Sequence, residues 1–142
     1  MNERKVTQVR DVMKTEVAII DGLRTVREAL DMMRDRGTTV LIVKKRSEDD
    51  EYGMLLVTDI ARQVLAEDRA PDRVNVYEIM SKPVITVRPS MDVRYTARMF
   101  DNFGLSVAPV LHSGEVLGIV SYDDIVLGTV GEEAPMLPPS AD

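Results

Sequence analysis

The chain has 142 residues, 44% hydrophobic and 30% charged, and its 18 Lys and Arg against 24 Asp and Glu leave a formal net charge of −6. That length suits one domain of ordinary size, and the acidic balance opposes phosphate backbones, so nucleic acid is not an expected partner. With no cysteine there are no disulfides, thiolate zinc sites or thiol catalysis, and no apolar run is long enough to span a membrane; Met1–Val12 is polar rather than signal-like, so a cytoplasmic protein is expected.

After a flexible start at 1–6, the short segment VRDVM precedes a β-branched run at Val17–Ile20 that reads as a strand, closed by a turn at Asp21-Gly22. A helix follows. Thr25 and Glu28 form a capping box, Val26, Leu30 and Met33 share one face, and Gly37 stands where a left-handed residue ends a helix. Strands are predicted at Val40–Val43 and Met54–Val57 around the loop KKRSEDDEY, then a closing helix carrying Ile60, Ala61, Val64 and Leu65. The polar stretch around Pro71 reads as a linker, residues 68–75.

The same order then recurs. VYEIM leads to a predicted strand at Val84–Val87, a turn at Arg88-Pro89-Ser90, and a helix capped by Asp92 with Val93, Ala97 and Phe100 on one face. Gly104 ends it; strands follow at Val107–Leu111 and Leu117–Val120 around HSGE, and a last helix carries Ile125, Val126 and Val130. At an offset of 67, nine of the 35 positions from Val9 to Val43 are identical to those from Val76 to Val110, where roughly two would match by chance. Past the first hairpin loop the offset is 65, so that Gly53, Asp59 and Ile60 overlay Gly118, Asp124 and Ile125. The expected fold is therefore α+β: two β-α-β-β-α repeats at 7–67 and 76–130, each a small mixed sheet with two helices, related by a pseudo-twofold axis. The proline-rich tail 131–142 is expected to be disordered.

A duplicated β-α-β-β-α unit with Gly-Ile-Val-Ser-Tyr-Asp-Asp at 118–124 entering the last helix resembles the cystathionine-β-synthase (CBS) domain family, whose paired form is the Bateman module. That family's signature is a glycine, a hydroxyl residue three later and an aspartate six later. Gly118, Ser121 and Asp124 match it fully; the first repeat keeps Gly53 and Asp59 but has Leu56 at the hydroxyl position, with Thr58 nearby.

These residue types suit a nucleotide. An aspartate at a strand-to-helix junction offers two acceptors to a ribose diol, the adjoining helix start suits a phosphate, and Ser121 adds a donor. The resemblance implies that the base lies against the opposite repeat, so one cleft would combine Ser121 and Asp124 with Val17, Ala18, Thr38 and Thr39. A weaker one would combine Thr58 and Asp59 with Val84, Ile85, Leu105 and Ser106.

The expected protein is a regulatory, energy-sensing module rather than an enzyme. It requires no cofactor and binds an adenosine ligand such as AMP, ADP or ATP, with S-adenosylmethionine and NAD as alternatives. The resemblance implies a homodimer, and the output would pass to an unknown effector protein. A scaffold with vestigial nucleotide pockets is the alternative. No catalytic residue and no metal site is expected: His112 lies at a hairpin tip, and Glu48–Glu51 lacks the spacing and glycine of a calcium loop. In the plainest reading, Asp59 and Asp124 are first-turn helix acids.

Overall fold

The computed structural model describes residues 6–82 and 84–133. In chain order its elements are α1 (Val9–Val12), β1 (Ile19–Ile20), α2 (Val26–Arg36), β2 (Val40–Val43), β3 (Gly53–Leu56), α3 (Val57–Ile60), α4 (Val76–Ile79), α5 (Val93–Phe103), β4 (Val107–His112), β5 (Glu115–Ser121) and α6 (Tyr122–Glu133). They form two compact units, Val17–Val84 and Met1–Glu16 with Ile85–Asp142. The fold is α+β, with one small sheet in each unit. Residues 131–133, expected in the tail, continue α6; the expected disorder of 134–142 and flexibility of 1–5 lie outside the described residues.

The 17–84 unit holds a mixed sheet of order β1-β2-β3. β1 runs parallel to β2 with Ile19 opposite Ile42, and β2 runs antiparallel to β3 with Val40 opposite Leu56. Parallel neighbours need a crossover, which α2 supplies. Its start is fixed reciprocally: Glu28 N–H donates to Thr25 Oγ1 at 3.1 Å, and Thr25 N–H donates to Glu28 Oε1 at 2.9 Å. It ends at Gly37, in the left-handed region at φ 65°, as α5 ends at Gly104 at φ 66°. Val26, Ala29 and Met33 of α2 bury against Leu41, Val43 and Leu55, and Ile60 and Val64 close the same cluster. Beyond α3 the helix widens into a π turn, Ala61–Leu65, which leaves Leu65 exposed. The predicted linker is built in: Pro71–Arg73 is a 3-10 turn, Val74 is buried, and Arg27 Nε pairs with Asp72 at 3.1 Å.

The other unit repeats this plan with one omission. β4 and β5 pair antiparallel about a two-residue turn, Ser113-Gly114, both with positive φ as a tight hairpin demands. The strand predicted at Val84–Val87 does not form; only Val87 bridges Val110. The cause is at position 109. In the first repeat Ile42 N–H donates to Ala18 O at 2.9 Å, which extends the β1–β2 pairing. The equivalent of Ile42 is Pro109, which has no N–H to give, so the parallel pairing shrinks to one bridge. β1 itself is also shorter than predicted, beginning at Ile19 rather than Val17.

Each repeat's lead segment joins the core of the other repeat's unit. Lys14 bridges Ile119, while Ser81, its repeat equivalent, bridges Met54; Gln8 bridges Asp92, while Asn75 bridges Thr25. Accordingly Val9 of α1 is buried with Val93, Phe100 and Val120, and Val76 and Ile79 of α4 are buried with Val26 and Leu55. This explains the glycine that the repeats share. A Cβ at Gly118 would collide with the carbonyl oxygen of Lys14, and one at Gly53 would stand 2.8 Å from Met80 Sδ and 3.2 Å from Ser81 O. The bare backbone lets the lead segment lie against the last strand.

Candidate functional site

β5 ends at Ser121 and α6 begins at Tyr122, so the strand delivers Ser121 to the cap position and Asp124 to the first turn. Asp124 Oδ2 accepts Ser121 N–H at 2.9 Å and the Ser121 hydroxyl at 3.0 Å, and Ser121 Oγ accepts Asp124 N–H at 3.2 Å. This reciprocal cap locks the carboxylate's orientation. Oδ1 is held by Nζ of Lys14 from the lead segment. The Asp124 side chain is 7% exposed and that of Lys14 65%, so a nearly buried carboxylate meets an ammonium with a free solvent side. Beside them runs a cleft of about 550 Å³ lined by Thr7, Asp11, Val12, Lys14, Asp123, Asp124, Leu127 and Gly128.

In the 17–84 unit the matching junction is built differently. Asp59 Oδ2 accepts Leu56 N–H at 2.9 Å, but Leu56 has no hydroxyl to return the bond. Asp59 Oδ1 pairs with Arg62 Nη2 at 3.1 Å, and the Asp59 side chain is likewise 7% exposed. Thr58 is exposed on the same first turn. The plain reading of both acids as first-turn helix residues is thus realised in the hydrogen bonding, and any further role is added to it.

Within each unit most of the remaining predicted residues lie at the sheet end that carries the capped acid, Val84 and Ile85 excepted. Thr38 Oγ1 exchanges 3.2 Å bonds with Val40 N–H and Val40 O, and Thr39 O accepts Val57 N–H at 3.0 Å, which sets Thr39 beside Thr58 and Asp59. The β1–β2 register carries Val17 and the buried Ala18 to the same strand ends. In the other unit Tyr122 N–H donates to Ser106 O at 3.1 Å, which joins Ser106 and Leu105 to Ser121 and Asp124, and Ile85 is exposed before the Val87 bridge. Val84 closes the 17–84 unit. Each unit therefore carries residues of both predicted clefts.

Sequence reasoning missed the two cations. Arg62 could have been found, since it lies three residues after Asp59 on one helix. Lys14 lies 110 residues from Asp124 and only the fold brings it there. The acidic loop of the first repeat is an anchor: Asp50 pairs with Lys82 Nζ at 2.7 Å and accepts Arg46 N–H at 2.8 Å, and these bonds, Lys82 foremost, hold its carboxyl well below the usual range. Among the described residues no group of three or more His, Cys, Asp or Glu is placed to hold a metal ion, and no helix is long and apolar enough to cross a membrane.

A family model described as CBS domain matches residues 9–66 and 76–128. The chain belongs to the CBS-domain family. As a pair of CBS domains it is a regulatory module. It is similar to a hexameric CBS-CP12 protein from bloom-forming cyanobacteria, with 37% identity and a TM-score of 0.88 over 93% of this chain and 73% of that one. An uncharacterized protein of Methanopyrus kandleri is 30% identical over 120 residues, 83% of this chain. The chain spans 60% of that relative's length and as little as 23% of others it matches. The CBS domain pair crystallised with 5′-methylthioadenosine and S-adenosyl-L-methionine shares the fold at a TM-score of 0.77 and 24% identity, over 90% of this chain and 99% of that one.

Proposed function

We propose that this CBS pair binds an adenosine-containing nucleotide and signals through a change of conformation or assembly. The observation that carries the reading is the Ser121–Asp124 cap, a nearly buried carboxylate held in one orientation at a strand-to-helix junction. Such a group suits a ribose diol, and the α6 start suits an anion. Ser121 and Asp124 would act with Val17, Ala18, Thr38 and Thr39, the partition the family resemblance implies. The second site, with Thr58 and Asp59 and with Val84, Ile85, Leu105 and Ser106, would be weaker because Leu56 supplies no hydroxyl. AMP, ADP or ATP are the first candidates. That the same fold takes adenosine compounds in another CBS pair supports this class and keeps S-adenosylmethionine among the candidates.

Signalling would work by linkage: a ligand that prefers one arrangement shifts the equilibrium by its differential affinity and passes the change to an effector protein or to assembly. The unit containing α5 and α6 supports self-association, because Tyr95, Phe103, Val126 and Leu127 all stand more than half exposed on those helices. A homodimer is the simplest form, and the hexameric CBS-CP12 relative is consistent with larger assemblies.

The test is thermal unfolding of the protein against AMP, ADP, ATP, S-adenosylmethionine and NAD. A ligand at about 100 times its dissociation constant adds roughly 2.7 kcal/mol of stability. A shift with an adenosine compound that Asp124→Asn abolishes supports the reading. No shift with any of them favours the scaffold alternative, in which the capped acids serve the helices alone.

A further inference from the structure

Both capping acids accept a backbone N–H at Oδ2, where Asp124 also accepts the Ser121 hydroxyl, and they differ in the cation held at Oδ1. Arg62 serves Asp59 from the same helix. The repeat equivalent of Arg62 is Leu127, and Asp124 is served instead by Lys14, whose own equivalent is Ser81. The Lys14 backbone is fixed by a pair of 2.9 Å bonds with Ile119, N–H to O and O to N–H. Only its side chain is free to move, and that side chain is 65% exposed.

A diol approaching Asp124 finds Oδ2 filled by Ser121 N–H and O–H, so it must claim Oδ1 and displace the Lys14 ammonium. Removing the partner of a nearly buried carboxylate is costly unless the displaced cation keeps an anion within reach of its stem. A phosphate carried on the same ribose is such an anion. We propose that Lys14 is the specificity-determining residue of this site, selecting a nucleoside monophosphate over an uncharged nucleoside; this rests on the nucleotide reading above.

The neighbours limit the phosphate number. Asp11, Asp123 and Asp124 line the cleft, and among the described lining residues Lys14 is the one cation. A first phosphate can pair with the ammonium, whereas a second and third find no further cation among these lining residues, whose other charges are the three carboxylates.

Calorimetric titration of the full chain with AMP, ATP and adenosine tests this, using wild type, Lys14→Met and Lys14→Arg. Wild type is expected to bind AMP more tightly than adenosine or ATP. Lys14→Met is expected to lose roughly tenfold to a hundredfold in AMP affinity while keeping or improving adenosine affinity, and Lys14→Arg to retain the preference. Equal losses for AMP and adenosine in Lys14→Met, or an undiminished preference for AMP, would reduce Lys14 to a structural role and overturn the proposal. Should Lys14→Met not fold, the wild-type ratio decides: adenosine binding as tightly as AMP overturns the charge selection yet leaves the adenosine site standing. Wild type that binds none of the three overturns the site reading and this proposal together.

Discussion

Ser121 and Leu56 occupy the same repeat position and give their helices unequal starts. Ser121 both donates to Asp124 and accepts from it, whereas Leu56 offers only its backbone N–H. Ser121→Ala is therefore expected to lose about 1 kcal/mol in chemical denaturation, the usual value of a side-chain cap. Asp50 makes a prediction in pH. Its carboxyl is lowered from the ordinary 3.8 by Lys82 and Arg46, so the folded state binds its proton less readily than the unfolded chain. The stability it contributes is complete above about 3.8 and fades as pH falls through the lower folded value. Acid titration of Asp50→Asn should show a shallower loss of stability below pH 4 than wild type, with no change in slope near pH 7. The metal reading of this loop failed at the sequence level for want of ligand spacing; what the fold adds is that Asp50 turns inward to Lys82 while Glu48, Asp49 and Glu51 remain exposed.

Local signals were legible wherever one residue type admits few conformations. The Thr25–Glu28 box, the Asp92 cap, Gly37 and Gly104 each do what their spacing foretold. The first strand of the second repeat was misread, because β-branched runs indicate extended chain but pairing needs a donor on the neighbour. Val84–Val87 has the right side chains and the wrong partner, Pro109. Pro109→Val should supply that N–H, and hydrogen exchange should find a protected amide at position 109; a rapidly exchanging amide there would show that the pairing is prevented by something else. VRDVM and VYEIM also became the short helices α1 and α4, whose single turn is too brief for periodicity to reveal.

On the scale of the molecule, the repeats in the sequence and the compact units are different divisions of the chain. Val9 and Val76 are each 0% exposed, and each sits in the core of the other repeat's unit. Val9→Ala should cost about 2–3 kcal/mol by leaving a cavity, and it should raise hydrogen exchange in β4 and β5 more than in β2 and β3; Val76→Ala should do the reverse. Phe103, more than half exposed on α5, is expected to matter for assembly, so Phe103→Asp should lower the mass seen by analytical ultracentrifugation without lowering the melting temperature of the protomer. The sequence by itself determined the duplication, the α+β class, the caps and the Gly-Ser-Asp signature. Those depend on neighbours in the chain, or on a pattern compared with itself. The tertiary structure alone decided which core each lead segment enters and which cation meets Asp124, because these are contacts across 27 to 110 residues that no local propensity encodes. The shared glycine joins the two levels: it is visible as a repeat, and its reason is the backbone that passes against it.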